Sequence, residues 1–123
     1  MLVYGLCPSF KFLSFTFLVV LADIAMFIYL VAEGLDKTSD NLLQVKAQTL
    51  IDNGGNYQPK DLDGQVYRFL SAIFLHVNFM HIFGNIIVTF LFLSRIEYTF
   101  GVPRTVAIYL LSGIVANVFS VLL

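Results

Sequence analysis

Three long apolar segments dominate the pattern of the chain. Residues 12–31 contain one charge, Asp23, whereas residues 69–94 and 105–123 contain none. About 20 apolar residues in a helix cross a bilayer, and backbone groups inside lipid must be hydrogen-bonded internally. The pattern therefore predicts an all-α membrane protein with three transmembrane helices, near residues 12–31, 79–96 and 104–123. Residues 69–78 are expected to form a short helix or turn before the second helix.

Two connections of different character join these helices. Residues 33–68 form a long polar loop, in which residues 40–50 are predicted to be a short helix with Asp40 as its N-cap. The second connection, near Gly101, is short and net positive. Positive charge favours the cytoplasmic side, so we predict a cytoplasmic N-terminus and Gly101 turn, with the long loop on the opposite side.

The first apolar segment could alternatively be a cleaved signal peptide. Its apolar run is longer than the roughly 7–15 residues of a signal core, and residues 31–33, Val-Ala-Glu, are a poor cleavage site. We therefore interpret it as a retained transmembrane helix.

Composition supports a membrane environment and excludes some partners. Hydrophobic residues make up 59% of the 123 residues and charged residues 12%, against about 45–50% and 25% in soluble domains. The net charge of −1 provides no basic field for nucleic acid. The single cysteine, Cys7, cannot form an internal disulfide.

Polar residues at membrane depth are the candidates for function, because they are costly there. His81 and Asn85 are four residues apart and share a helix face, which Thr89 continues. His76 is expected just before the helix. These groups could simply make helix-packing hydrogen bonds, but three within ten residues favour a site. Two histidines without a third ligand do not favour zinc, and no cofactor is implied.

Other polar residues allow more than one interpretation. Asp23 is a functional candidate that is protonated, paired, or facing another helix. Arg68 either anchors the loop or snorkels to the interface. Glu97 is a cap or a loop tether, with Arg95 and Arg104 as candidate partners.

The third helix has a face of small and polar residues that is predicted to be a packing seam. Asn117 could add an interhelical hydrogen bond there. The face consists of Tyr109, Ser112, Gly113, Ala116, Asn117 and Ser120.

Together these residues resemble the rhomboid family of intramembrane serine proteases. The pattern is Tyr67-Arg68, His76-x4-His81-x3-Asn85, Glu97-x3-Gly101 with Arg104, and residues 109–113, Tyr-Leu-Leu-Ser-Gly. The resemblance covers residues 52–123 well and the first helix weakly, where Asp23 stands at a place often occupied by an amide. Tyr67 replaces the family's tryptophan, and Ala116 replaces a glycine.

The resemblance implies a six-helix core, of which residues 1–123 would be a partial domain holding helices one to three. The nucleophilic serine lies in a Gly-x-Ser-Gly motif on helix four and the base histidine on helix six. Neither is present in this sequence. We therefore expect an N-terminal fragment that is inactive as given.

The resemblance also assigns roles and partners. His81 and Asn85 would stabilise the oxyanion, and His76 would support the local hydrogen-bond network. Arg68 and Glu97 would anchor the first loop and the turn at Gly101. The expected partners are transmembrane protein substrates, the lipid bilayer and the remaining rhomboid helices. The alternatives are a non-catalytic rhomboid-like protein that binds membrane proteins, and an unrelated three-helix membrane subunit.

Overall fold

The chain folds as an assembly of helices. The computed structural model describes residues 14–57 and 63–122. Its helices are α1 (Phe15–Glu33), α2 (Ala47–Asp52), α3 (Arg68–Ser71), α4 (Phe79–Val88), α5 (Ser94–Phe100) and α6 (Val102–Leu122), with a 3₁₀ turn at Ala72–Phe74 and a π-helical turn at Thr89–Leu93. Those ranges contain no strand, only one isolated bridge between Leu35 and Val45. The predicted all-α class is confirmed.

Three of these helical segments are long and apolar enough to cross a membrane. They are Phe15–Glu33 (the first span), Phe79–Phe100 (the second span) and Val102–Leu122 (the third span). The predicted number of transmembrane helices is therefore confirmed. Large apolar side chains such as Leu18, Ile28, Met80 and Phe119 are exposed on the outside of the bundle, where lipid rather than water is the favourable neighbour.

Side-chain caps and a glycine set the ends of the spans. The Ser14 hydroxyl accepts a hydrogen bond from the Phe17 N–H (3.2 Å), and the Asn78 carboxamide oxygen accepts one from the His81 N–H (2.9 Å). Both satisfy N–H groups that a helix leaves open in its first turn. Gly101 separates α5 from α6 with φ +83°, which glycine adopts without a steric penalty.

The second span contains a π-helical turn at Thr89–Leu93, and the Ser94 hydroxyl donates to the Phe90 carbonyl just below it. A π turn inserts an extra residue into a helix, and one residue corresponds to about 100° of rotation. The turn therefore sets the direction of Glu97 separately from that of His81 and Asn85.

The predicted helix over residues 40–50 is wrong. The helix is α2, Ala47–Asp52, and its N-cap position is Lys46 instead of Asp40. Residues 44–46 are extended because their backbone groups pair elsewhere: the Asp36 N–H donates to Gln44, the Val45 N–H to Val77 and the Lys46 N–H to Gly34. Val45 is only 1% exposed, so this tertiary pairing outweighs the local helix signal.

The first span, the second span and the long loop meet in a small apolar core formed by Phe27, Leu30, Val45 and Ile82. The third span packs on the segment after α3, where a Cβ on Gly113 would lie 2.6 Å from Ile73 Cδ1. A larger residue at position 113 would therefore require the Ile73 side chain to shift.

The predicted packing seam on the third span is correct only in part. Gly113 and Asn117 face the rest of the chain, whereas Ser112, Ala116 and Ser120 are exposed within the described structure. The helix has two neighbouring faces of small residues, and only the one through Gly113 has a partner among the described residues.

Candidate functional site: a polar cleft between the spans

An open cleft of about 370 Å³ lies between the three spans and the segment after α3. Apolar side chains such as Ile73 and Leu75 form part of its wall. Its polar lining residues are Asp23, His76, His81, Asn85, Thr89, Tyr109 and Asn117. The structure therefore brings the histidines and the amide of the second span together with the acidic residue of the first span.

His81 and Asn85 lie one above the other on the cleft side of the second span. His81 is in the first turn of α4 and is exposed, and Asn85 is half-buried one turn further on. The second histidine, His76, precedes the helix, and its ring lies edge-on to that of His81 with 5.2 Å between ring centroids. One exposed and one buried imidazole therefore meet at the mouth of the cleft.

His76 is neutral at physiological pH. It is 3% exposed, and its Nδ1 has no hydrogen-bond partner among the described residues. Burial, reinforced by the neighbouring His81, lowers the pKa of His76 to about 4, because an imidazolium loses hydration in such a position. A neutral imidazole offers one donor and one acceptor, so His76 can join a hydrogen-bond network without adding charge.

Asp23 lies in the middle of the first span and is also only 3% exposed. Its Oδ1 has no hydrogen-bond partner in residues 14–57 and 63–122, and neither lysine nor arginine lines the cleft. Of the three alternatives that the sequence left open, the structure shows Asp23 facing other helices, across the cleft from the second and third spans.

Arg68 anchors the long loop through its guanidinium group. Its Nη1 donates to the carbonyl oxygens of Ile51 (2.6 Å) and Gly55 (2.9 Å), and its Nε donates to Gln65 Oε1 (2.9 Å). The side chain is 4% exposed. The guanidinium thus links the end of α2 to the segment around the start of α3. Because Arg68 is buried and bound to the chain, it does not snorkel to the membrane interface.

Glu97 caps the first span instead of its own helix. Its carboxylate accepts hydrogen bonds from the Phe15 N–H (3.0 Å), the Thr16 N–H (2.8 Å) and the Thr16 hydroxyl (2.8 Å). A carboxylate at a helix N-terminus satisfies open N–H groups and complements the helix dipole. Glu97 therefore ties the C-terminal end of the second span to the N-terminal end of the first span.

Asn117 ties the third span to the loop. Its Nδ2 donates to the Phe69 carbonyl (2.8 Å), and its Oδ1 accepts from Asn56 Nδ2 (3.0 Å). The interhelical hydrogen bond predicted for Asn117 is thus made, with a residue of the short helix α3 as the acceptor.

Sequence analysis did not single out Thr16, Asn56 or Gln65 as partners. Thr16 lies 81 residues from Glu97, and Asn56 lies 61 residues from Asn117. No local pattern connects such distant residues. Gln65 is three residues from Arg68, and that closeness in sequence was the one available signal.

The cleft can supply neutral hydrogen-bond donors to a developing negative charge. An amide N–H₂ and imidazole N–H groups at the edge of a low-dielectric cavity interact with an oxyanion more strongly than they would in water. Among the described residues, no group of three or more His, Cys, Asp or Glu side chains could hold a metal ion.

Comparison with known proteins identifies relatives of the chain. The model of the Rhomboid domain matches residues 63–123. The chain is 36% identical over 74 residues to "Rhomboid-like protease 1" of Toxoplasma gondii, covering 60% of this chain and 25% of that protein. It is 30% identical over 118 residues to "Rhomboid-like protease 2" of the same organism, covering 96% and 41%.

A third relative carries a different name. The chain is 34% identical over 59 residues to "Inactive rhomboid protein 1" of Drosophila melanogaster, covering 48% of this chain and 4% of that protein. The chain thus spans well under half the length of these curated relatives. No solved structure matches it.

The fold and the cleft define an integral membrane protein built of helices, with several polar residues lining a cleft between three spans. Within that class, the domain match and the relatives settle the family. The chain belongs to the rhomboid family, as the sequence pattern predicted.

Proposed function

We propose that this chain provides the first three helices of a rhomboid-type intramembrane serine endopeptidase that cleaves membrane-protein substrates. Residues 1–123 would then all belong to one partial rhomboid domain. The observation that carries the proposal is that His81 and Asn85 line one cleft between the spans. The relatives named as proteases support the reaction class.

In this proposal, His81 and Asn85 bind the oxyanion. Acyl transfer develops negative charge on the carbonyl oxygen of the substrate, and preorganised donors lower that barrier. His76 is a positioning residue, because its ring lies against that of His81. Arg68, Glu97 and Gly101 have structural roles in holding the loop and the turn.

Single substitutions in the full-length protease that contains this chain test the oxyanion assignment. Loss of one such donor typically costs about 2.7–4 kcal/mol, or roughly a hundred- to a thousandfold in turnover. We expect His81→Ala and Asn85→Ala to lose turnover while remaining folded, with Asn85→Ala at or below the low end of that range. Thr89→Ala is the control, because Thr89 lies about 12 Å deeper than His81 at 1.5 Å per residue. Folding is checked by thermal melting.

Two results would contradict the assignment. If His81→Ala and Asn85→Ala unfold the protein, these residues are helix-packing groups. If both keep full turnover, the cleft does not hold the oxyanion.

The second candidate is a non-catalytic rhomboid-like protein that binds membrane proteins. The likeness to a relative named inactive favours it. We expect the purified 123-residue chain not to cleave transmembrane substrates, because it has no serine–histidine pair to form an acyl-enzyme. Cleavage by the pure chain that a serine-directed probe abolishes would refute this.

An in-frame Gly-x-Ser-Gly motif and a later histidine in the transcript would favour the protease.

We also propose that the N-terminus and the Gly101 turn are cytoplasmic. The proposal rests on the positive charge near the turn. Single cysteines at Lys46 and Arg104, with Cys7 replaced, should react with impermeant reagents from opposite sides of the membrane. Labelling of both from one side would overturn this orientation.

A further inference from the structure

The position of His81 depends on how the second span begins. Its N–H lies in the first turn of α4, where backbone N–H groups have no partner within the helix, and it donates to the side-chain oxygen of Asn78 (2.9 Å). The next N–H, that of Ile82, donates to the Asn78 carbonyl (3.2 Å). Asn78 therefore supplies the acceptors for two consecutive N–H groups of this turn.

The long loop fixes the amide group of Asn78. Its Nδ2 donates to Gln44 Oε1 (3.3 Å) across 34 residues of sequence, and both side chains are half-buried. Gln44 Oε1 also accepts from Asn41 Nδ2 (3.1 Å), and Gln44 Nε2 donates to the Val45 carbonyl (3.3 Å). An amide has one donor end and one acceptor end. With its Nδ2 held by Gln44, Asn78 therefore presents its oxygen to the His81 N–H.

Two backbone hydrogen bonds join the loop to the same place. The Val45 N–H donates to the Val77 carbonyl (2.8 Å), and the Phe79 N–H donates to the Leu42 carbonyl (3.0 Å). These contacts lie on either side of Asn78, and Val45 is buried. The loop thus contacts three consecutive residues at the start of the second span, so a displacement of the loop also displaces the first helical turn.

Asn85, the other proposed oxyanion donor, does not depend on the loop in the same way. It lies one helical turn further on, inside α4, and its carbonyl oxygen accepts from the Thr89 N–H. The hydrogen bonds of the helix itself therefore hold its turn. A change at the loop contact should act on His81 and leave Asn85 in place.

We propose that Asn78 and Gln44 are positioning residues that hold the His81 imidazole where the oxyanion forms. The long loop then acts on the reaction through two amide side chains. A donor must lie within about 0.5 Å of its productive position to act fully, and loss of an N-cap destabilises the first turn of a helix. This inference rests on the proposed function, since it gives the loop a part in the oxyanion step of the rhomboid-type site.

Combined substitutions in the full-length protein that contains this chain test the inference. Asn78→Ala should lower kcat about tenfold with KM unchanged, which is less than the roughly hundredfold cost of a 1 Å misplacement. Once His81→Ala has removed the donor, the same change should cost no more than about twofold, the margin of additivity. In the Asn85→Ala protein it should again cost about tenfold. A merely structural effect lowers the amount of folded enzyme and so costs the same factor in every background.

Two further variants separate Gln44 from the cap. Gln44→Ala should cost about two- to fivefold in kcat, as expected for one hydrogen bond. Gln48→Ala is the matched control and should cost nothing, because Gln48 is exposed and donates to Asp52 Oδ1 within the same helix (2.7 Å). Asn78→Ser keeps a capping oxygen but has no N–H₂ group for Gln44, so it should match Gln44→Ala.

Amide hydrogen exchange of the same proteins, followed by NMR, gives a readout that does not need turnover. Asn78→Ala should speed exchange at the His81 N–H by about two- to thirtyfold, the range for loss of an N-cap. Exchange at the Asn85 N–H should stay unchanged. Gln44→Ala leaves the cap itself in place and replaces Asn78→Ala in both measurements if that variant does not fold.

The inference is overturned if the loop variants cost the same factor with and without His81, if Gln48→Ala matches Gln44→Ala, or if exchange at His81 is unchanged. Full turnover in His81→Ala would defeat the oxyanion proposal and this inference with it. A loss of turnover in His81→Ala, joined to an equal cost of Asn78→Ala in every background, would defeat this inference alone.

Discussion

Two buried or half-buried charged residues, Arg68 and Glu97, act as tethers that join distant parts of the chain, and they differ from the polar residues of the cleft in how their hydrogen bonds are made. Arg68 and Glu97 each make three hydrogen bonds within the chain. All but the one from Arg68 to Gln65 join residues that are more than ten positions apart in the sequence. In the cleft, Asp23 Oδ1 and His76 Nδ1 are buried without a partner among the described residues. Burial is nearly the same for Arg68, Asp23 and His76, so burial alone does not distinguish the two regions.

The difference lies in whether the hydrogen bonds are closed inside the chain. A buried polar group with all its partners stabilises one arrangement, whereas an open one costs free energy until a ligand completes it. The tethers should therefore lose stability when they are truncated, and the cleft residues should be neutral or gain stability.

The largest effect should follow Arg68→Ala. It removes the donors of the Ile51 and Gly55 carbonyls, and hydrogen bonds to charged groups contribute about 1.5–3 kcal/mol each. We expect the free energy of unfolding to fall by about 3 kcal/mol, measured by denaturation in detergent micelles. Arg68→Lys should recover only part of it, because an ammonium group lacks the fork that reaches both carbonyls. An unchanged stability of Arg68→Ala would remove Arg68 from the tethers.

Glu97→Ala should have the next largest effect. The first turn of the first span would lose the acceptor of three hydrogen bonds, and we expect a loss of about 2–3 kcal/mol. Thr16→Val is the matched partner variant, since it removes only the hydroxyl donor and should cost about 1 kcal/mol. Equal losses for the two variants would contradict the assignment of Glu97 as the cap.

The third prediction concerns a cleft residue, His76, and the pH dependence of the free energy of unfolding. Burial lowers the pKa of His76 from 6.5 to about 4, so between these values the unfolded chain binds a proton that the folded chain does not. The stability from His76 is therefore fully present above about pH 7 and is lost as the pH falls through 6.5 toward 4, by on the order of 2 kcal/mol. His76→Gln should flatten this part of the stability profile. Parallel profiles for the two proteins would show that His76 is solvated.

The sequence predicted the spans because their signal is local: about twenty apolar residues give a transmembrane helix whatever lies elsewhere. It also indicated that Glu97 is a cap or a tether, but not that its partners are Phe15 and Thr16, because that contact depends on how two spans pack. The pairing considered with Arg95 or Arg104 was chosen by closeness in sequence, which does not determine contacts in a bundle.

The failures have the same physical origin. Residues 40–50 carry a helix signal, yet Val45 is held in an extended segment by the Val77 carbonyl, and tertiary pairing outweighs helix propensity. The faces of the third span through Ser112 and through Gly113 look alike in sequence, and only packing on Ile73 distinguishes them. The π-helical turn at Thr89–Leu93 contains no proline or glycine, so the sequence gives no local signal for it.

The smallest expected effect has the opposite sign, and it tests the comparison most directly. Asp23→Leu replaces a buried carboxyl group that lacks a partner for Oδ1 with an apolar side chain of larger volume, for which the open cleft has room. Burying a polar group without its hydrogen bond costs about 1–3 kcal/mol by mutational measures, and part of that cost is recovered, so we expect a gain of about 1 kcal/mol in the free energy of unfolding. Asp23→Asn is the control and should change stability little, because the amide is as polar as the acid. The free energy of unfolding of the three proteins is measured by denaturation in the same micelles.

A loss for Asp23→Leu as large as that for Arg68→Ala would mean that Asp23 is a tether with its partner inside the chain. A gain would show that the chain gives up stability at Asp23, as functional sites commonly do.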